Sequence, residues 1–191
     1  MTGHEWGQTL PTLSASRLDL RGLTREDAPA LLTIFGDDAV TKFWSSPSLP
    51  DLAAATALLD DIHRLFAART LFQWGICPRE TGEVIGTCTL LNVDLTHRRA
   101  ELGIALARSA WGSGYATQAL ELLIGFAFGA LDLHRLEADI DPDNQPSLRL
   151  FERQGFVREG LMRERWQQLG QMHDTIFLGL LRREWPGPSA A

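Results

Sequence analysis

The chain has 191 residues, 45% of them hydrophobic and 22% charged, which suits one domain with a sizeable core and excludes a disordered chain. Its 18 basic and 24 acidic residues give a formal charge of -6, which argues against a nucleic-acid binder that works by neutralising phosphates; a cationic partner such as an amine would suit it, although mildly acidic surfaces are common. Cys77 and Cys88 are the only cysteines, with no CxxC or Cys/His cluster, so neither a disulfide scaffold nor a zinc site is expected, and no run approaches the about 20 apolar residues of a membrane span.

The opening "MTGHEWGQTLPTLSA" lacks the basic start and apolar core of a signal peptide, so a cytoplasmic, reduced setting is expected. Residues 1–12 and 186–191 read as loose ends around a core of about 16–185. "SRLDLRGL" alternates apolar and polar residues as a first strand. "TREDAPALLTIFGD" follows, with Thr24 and Asp27 spaced as a capping box and a short helix ending near Gly36. "PDLAAATALLDDIHRLFAAR" repeats apolar residues at helical spacing after Asp51. "LFQWGIC" and "EVIGTCTLLNV" are strands joined through "PRETGE", and "RRAELGIAL" is another. "YATQALELLIGFAFGAL" is a long apolar helix, "HRLEADI" a strand, and "SLRLFERQ" a helix stopped at Gly155. The end of the chain reads as two strands around a loop at Gly170. The expected architecture is a single α/β domain over 1–191. Its mixed sheet has six to seven strands, with an antiparallel N-terminal meander and a central parallel β-α-β unit flanked by helices.

The turn into the long helix, "ARSAWGSG", places Gly112 and Gly114 where a helix begins. Unpaired N–H groups and a partial positive charge there suit an anion, usually phosphate. A plain glycine turn is the other reading. GxGxxG fails at Thr117 and a Walker Gly-Lys-Ser/Thr is absent, so a dinucleotide fold is disfavoured. In the preceding strand Ala100, Leu102, Ile104 and Leu106 point one way. Glu101, Gly103 and Ala105 point the other, a face of one carboxylate and two minimal side chains that leaves space for something else. Tight packing beside a solvated glutamate is the alternative.

"AWGSGYATQAL" resembles the acetyl-CoA pyrophosphate loop of the Gcn5-related N-acetyltransferase (GNAT) superfamily, written Gln/Arg-x-x-Gly-x-Gly/Ala, with Gly114 and Ala116 in the last two positions. Trp111 stands at the first, a departure associated with the branch of ribosomal-protein N-terminal (RimJ/RimL-like) acetyltransferases. "NQPSLRLFERQGFVREG", "SRLDLR" and "LLRREW" resemble the same branch, and the likeness runs from about Ser16 to Trp185.

The resemblance implies transfer of acetyl from acetyl-CoA to a primary amine by direct attack, without a metal. It implies that the N–H groups of Trp111, Gly112, Ser113, Gly114, Tyr115 and Ala116 hold the pyrophosphate. The thioester arm would lie as an added strand on Ile104, Ala105 and Leu106, where the strand splays from its neighbour, and Asn144 would contact it. Glu101 matches the family's carboxylate and would serve as base, directly or through water; an ion pair with Arg98 or Arg99 is its structural alternative. A base matters more for a lysine-like amine, of reference pKa about 10.4, than for an α-amine near about 7.7–8.0. The family's tyrosine position holds Phe151, which has no proton to give. Ser147 is the nearest substitute as a thiolate stabiliser, or caps the helix with Asn144.

The acceptor is left open. Phe43, Trp44, Trp166 and Asp174 fall in the segments that choose it. A peptide N-terminus, a polyamine, an amino acid or an antibiotic all fit, in a monomer or homodimer. A CoA-binding protein without turnover and a nucleotide-binding regulator are the rival readings. His63, His97, His134 and His173 show no triad or metal spacing and read as structural or solvent-facing.

Overall fold

Eight strands make one mixed sheet in the order β1-β2-β3-β4-β5-β6-β8-β7. The strands are β1 (Leu13–Ser14), β2 (Leu18–Gly22), β3 (Leu71–Pro78), β4 (Gly86–Asp94), β5 (Arg99–Leu106), β6 (Arg135–Ile140), β7 (Val157–Gln168) and β8 (Gln171–Leu181). The helices are α1 (Ala28–Phe35), α2 (Asp38–Thr41), α3 (Leu52–Ala67), α4 (Tyr115–Gly129) and α5 (Gln145–Arg153). A computed structural model describes residues 9–44 and 46–187; the loose ends expected at 1–8 and 188–191 lie outside the described residues. The mixed α/β architecture is the expected one. The strand beyond the expected six to seven is β1, two residues paired as Leu13↔Leu20 and Ser14↔Asp19, too short to show a period in the sequence. The one-turn α2 was also outside the expected elements. It starts where the Asp37 carboxylate accepts from the Ala39 N–H at 2.8 Å.

The alternation of the strands sorts their side chains onto two cores. On one face Phe72, Trp74 and Ile76 of β3 join Leu102 and Leu106 of β5, and α4 covers them with Leu120, Leu123, Ile124 and Phe128. On the other face Cys77 and Ala105 pack with Leu31, Ile34 and Phe35 of α1 and Leu59 and Ile62 of α3. Both cysteines are buried and free. The entry to α1 is fixed by Asp27, whose carboxylate accepts from the Thr24 N–H at 2.7 Å and the Thr24 hydroxyl at 3.2 Å. Arg21 grips the same carboxylate with two bonds of 2.8 Å.

Every pairing is antiparallel except β5–β6, which is parallel and brief. It covers Arg99↔Arg135, Ala100↔Leu136 and Glu101↔Glu137. Beyond that, β5 stays with β4 as far as Leu106↔Gly86, and β6 stays with β8 as far as Ile140↔Ile176. The two strands therefore diverge, each holding its outer neighbour, and the sheet opens in a V above Glu101.

The far limb of the V needs a bare residue in β4. A Cβ at Gly86 would overlap the Ala105 carbonyl oxygen and the Leu106 side chain and lie 3.1 Å from Leu106 Cα, and backbone atoms cannot step aside. Gly86→Ala is expected to lose about 1–3 kcal/mol of stability and to lower Tm by roughly 2–12 °C. Thermal unfolding followed by circular dichroism checks this; an unchanged Tm refutes it.

Candidate active site

The V opens onto a cavity of about 450 Å³. Its floor is Glu101, Gly103 and Ile104 of β5; one wall is Asp139 and Asp141, with Asn144 and Ser147 of α5. The outer walls carry Phe43, Trp44, Trp166 and Asp174, the residues that the sequence marked for acceptor choice. Trp44 is an edge-on neighbour of Phe35, ring centroids 5.1 Å apart, and remains 38% exposed, so this aromatic wall is only partly core. Gln168 at the end of β7 donates to the Thr41 carbonyl at 3.1 Å and joins the two outer walls.

Glu101 stands at the crotch of the V. The alternative of a surface ion pair does not hold: Arg98 pairs with Asp132 at 2.9 Å and Arg99 with Glu137 at 3.1 Å. Its partner is Asn92, whose amide donates to Glu101 Oε2 at 3.0 Å. Asn92 reaches it because the β4–β5 register slips between Leu91 and Asp94, and Asn92 takes φ +52°, which asparagine tolerates. Burial pushes the Glu101 carboxyl above its ordinary range. The Asn92 bond opposes that shift, the charges of Asp139 and Glu137 add to it, and Arg165 opposes it.

The small face of β5 divides in two. A Cβ at Gly103 would meet only Leu91 Cδ2, at 3.9 Å, so there is open room over it. Ala105 instead sits in the second core at 5% exposure, beside the core-facing Leu106. Ile104 is half-buried and lines the cavity. What β5 offers past Glu101 is thus its backbone edge.

The loop above β5 has its own geometry. Gly112 and Gly114 take φ +73° and +81°, a region that favours glycine, so their presence is first a conformational requirement. Gly114 is the N-cap of α4, and the first helical bond is the Gln118 N–H to the Gly114 carbonyl, 3.4 Å. The N–H groups of the first turn therefore lie outside the helical ladder. Trp111 is 49% exposed and its indole N–H donates to the Leu106 carbonyl at 2.9 Å, tying the loop to the end of β5. Ser113 is held by Arg17, which donates to its carbonyl at 2.9 Å and stacks 4.7 Å from the Tyr115 ring centre. Ala116 is half-buried behind them. Arg17 escaped the sequence reading because 96 residues separate it from Ser113.

Asn144 is the cap of α5: its side chain accepts from the Ser147 N–H at 3.3 Å. Ser147 contributes only its backbone N–H to that bond, and the residue also lines the cavity. Phe151 is 2% exposed, edge-on to Phe156 at 5.1 Å. His173, read as structural or solvent-facing, keeps a side chain 34% exposed, lines the cavity and places Nδ1 3.4 Å from Asp141. Among the described residues no group of three or more His, Cys, Asp or Glu could hold a metal ion. No described helix is long and apolar enough to cross a membrane.

Known proteins share this frame. The sequence profile of the acetyltransferase (GNAT) domain matches residues 17–157, and the chain belongs to that family. It is 36% identical to an uncharacterized N-acetyltransferase, p20, of Bacillus licheniformis, over 93% of this chain and 100% of that one. It is 26% identical to the spermidine N(1)-acetyltransferase of Escherichia coli, over 90% of each. The crystal structure of Mycobacterium smegmatis RimJ in complex with CoA-disulfide superposes with a TM-score of 0.86 at 25% identity, covering 93% of this chain and 90% of that one. The likeness to the RimJ-like branch therefore extends from motif to fold.

Asn92 gives the local electrostatics a direct test. Its bond favours the charged carboxylate, so Asn92→Ala is expected to move the Glu101 titration further up in pH. Carboxyl chemical shifts followed against pH would read it. A midpoint that stays put or falls shows that Asn92 does not tune Glu101.

Proposed function

We propose that the protein is an acetyl-CoA-dependent N-acetyltransferase that passes acetyl to a primary amine by direct attack, with a peptide α-amine as the first acceptor to test. The observation that carries this reading is the V between β5 and β6, which leaves a backbone edge of β5 unpaired beside a cavity floored by the desolvated Glu101 carboxylate. The edge at Ile104, Ala105 and Leu106 suits an extended, amide-bearing chain laid alongside as an added strand. The arm of acetyl-CoA is such a chain, and its thioester supplies the activated acetyl group. The N–H groups from Gly112 to Ala116, with the Arg17 guanidinium beside them, suit its pyrophosphate, whereas the Trp111 N–H is already given to the Arg108 carbonyl at 3.2 Å. Asn144, which also lines the cavity, would contact the arm.

An amine attacks only as the neutral base. Glu101 takes the proton of the arriving ammonium, directly or through one water, and its raised pKa makes it the stronger acceptor. A backbone N–H of the β5 edge steadies the negative charge that develops on the thioester oxygen. The Ser147 hydroxyl hydrogen-bonds the departing thiolate; Phe151 has no proton to offer.

Incubation with acetyl-CoA and a mixture of peptides and small amines, read by mass spectrometry, is expected to yield acetylated product. CoA retained without product would instead support a binding protein. Glu101→Gln is expected to spare CoA affinity and lower turnover by roughly 10²–10⁴. The deficit should shrink toward high pH, where the amine deprotonates unaided. A deficit that is the same at every pH means that Glu101 positions the acceptor and is not its base. Gly114→Val crowds the helix start and forces valine to φ +81°, so acetyl-CoA affinity is expected to fall at least about tenfold. Calorimetric binding equal to wild type in the folded variant would exclude the loop as the pyrophosphate site.

A further inference from the structure

The described ionisable residues that line the cavity are Glu101, Asp139, Asp141, His173 and Asp174, with no lysine or arginine among them. Most of these carboxylates have local partners. Asp141 faces His173 at 3.4 Å, and Asp174 accepts from the Glu164 N–H at 2.8 Å. Glu137, one step below on β6, is gripped by Arg99 at 3.1 Å and Arg135 at 2.6 Å.

Asp139 differs. Its side chain is only 6% exposed, and its Oδ1 is buried without a hydrogen-bond partner. Its other oxygen, Oδ2, sees the Arg165 Nε at 3.7 Å, too long for a good hydrogen bond. A buried carboxylate oxygen left unpaired is costly, and such a group on a cavity wall calls for a ligand that completes it. The register says where that ligand would lie. Glu137 is paired with Glu101, and Asp139 is two residues further along β6 on the same face, just past the point where the strands part. Glu101 and Asp139 thus face one space from opposite limbs of the V, on the order of 8 Å apart along the backbone diagonal.

Resting on the acetyl-transfer reading above, we infer that Asp139 binds a second positive charge of the acceptor, which is therefore a primary amine carrying another cationic group a few bonds away. Glu101 already serves the attacking nitrogen, which must lose its charge. A second carboxylate at that distance suits a nitrogen that keeps its charge. Burial pushes the Asp139 carboxyl up, against the pull of Arg165 and with the charge of Glu137 adding to it, so a cation seated there gains from a poorly solvated anion. Arg165 holds part of that place: β7 bulges between Met162 and Trp166, Glu164 takes φ +51°, and the 49% exposed Arg165 leans in over the carboxylate. The acceptor's cation replaces it.

The test compares acceptors matched in shape. One pair is diaminobutane and butylamine. The other is Ala-Lys-Ala amide and Ala-Leu-Ala amide. At neutral pH the wild-type kcat/KM is expected to favour the dicationic member at least about tenfold in one pair, and that pair tells a small diamine from a basic peptide. In Asp139→Asn the preference should fall to within about threefold, while acetyl-CoA affinity by calorimetry is kept. Arg165→Gln, at an exposed position, should lower KM for the dicationic member severalfold by removing a competitor. Equal rates within both pairs for wild type, a preference that survives Asp139→Asn, or an unchanged KM in Arg165→Gln each overturns the assignment. No acetyl transfer to any of the four amines would sink the acetyl-transfer reading itself, whereas equal transfer sinks only the role of Asp139.

Discussion

Above Glu101, strand β5 has a neighbour on one side only, and the rest of the site follows from that half-paired edge. Buried backbone N–H and C=O groups need partners. β4 satisfies one side of β5 as far as Leu106, while β6 turns away in company with β8. A strand in the middle of a sheet is a poor place for an open edge unless something else completes the ladder. The two cores hold the V in shape. Leu102 and Leu106 anchor β5 under α4, and Ala105 anchors it against α1 and α3, so neither limb can swing in to close the gap.

The same divergence sorts the charges. Below the crotch, where the strands still pair, Arg99 and Arg135 compensate Glu137, and Arg135 also holds Glu159 at 2.5 Å. Above it the carboxylates of Glu101 and Asp139 face space, with an amide for one and a distant guanidinium for the other. Both are raised by burial, whereas Glu159 and Asp27, each clasped by an arginine, are lowered. Opposite shifts in chemically alike groups mark where the fold spends its carboxylates on structure and where it leaves them available.

What could be read in advance was local in sequence. The strand alternation, the helical spacing of α3 and α4, the Thr24–Asp27 start and the Gly112/Gly114 loop each lie within 16 consecutive residues, and so does the placement of Glu101 on the small face of β5. The rest depended on distant pairs. Arg17 meets Ser113, Gln168 meets Thr41, and Asp139 owes its isolation to a divergence of backbones that no local pattern encodes. Alternation along "HRLEADI" tells the two faces of the strand apart but not a wet face from a cavity wall, so it could not single out Asp139. The Trp111 indole likewise takes up the Leu106 carbonyl at the end of the open edge, a bond that the loop motif does not show.

β7 is exposed along nearly its whole length, and the cavity-lining Trp166 with its neighbour Arg165 projects from that outermost strand. The opposite wall, with Phe43, Trp44 and Ser46, comes from the connection between α2 and α3. Neither wall supplies a residue to the two cores. Substitutions there can accumulate with little thermodynamic penalty, while the edge of β5 and the start of α4 are bound into the interior. The walls that face an acceptor are thereby mechanically separate from the parts that hold the sheet open, so a change in the walls need not disturb the V.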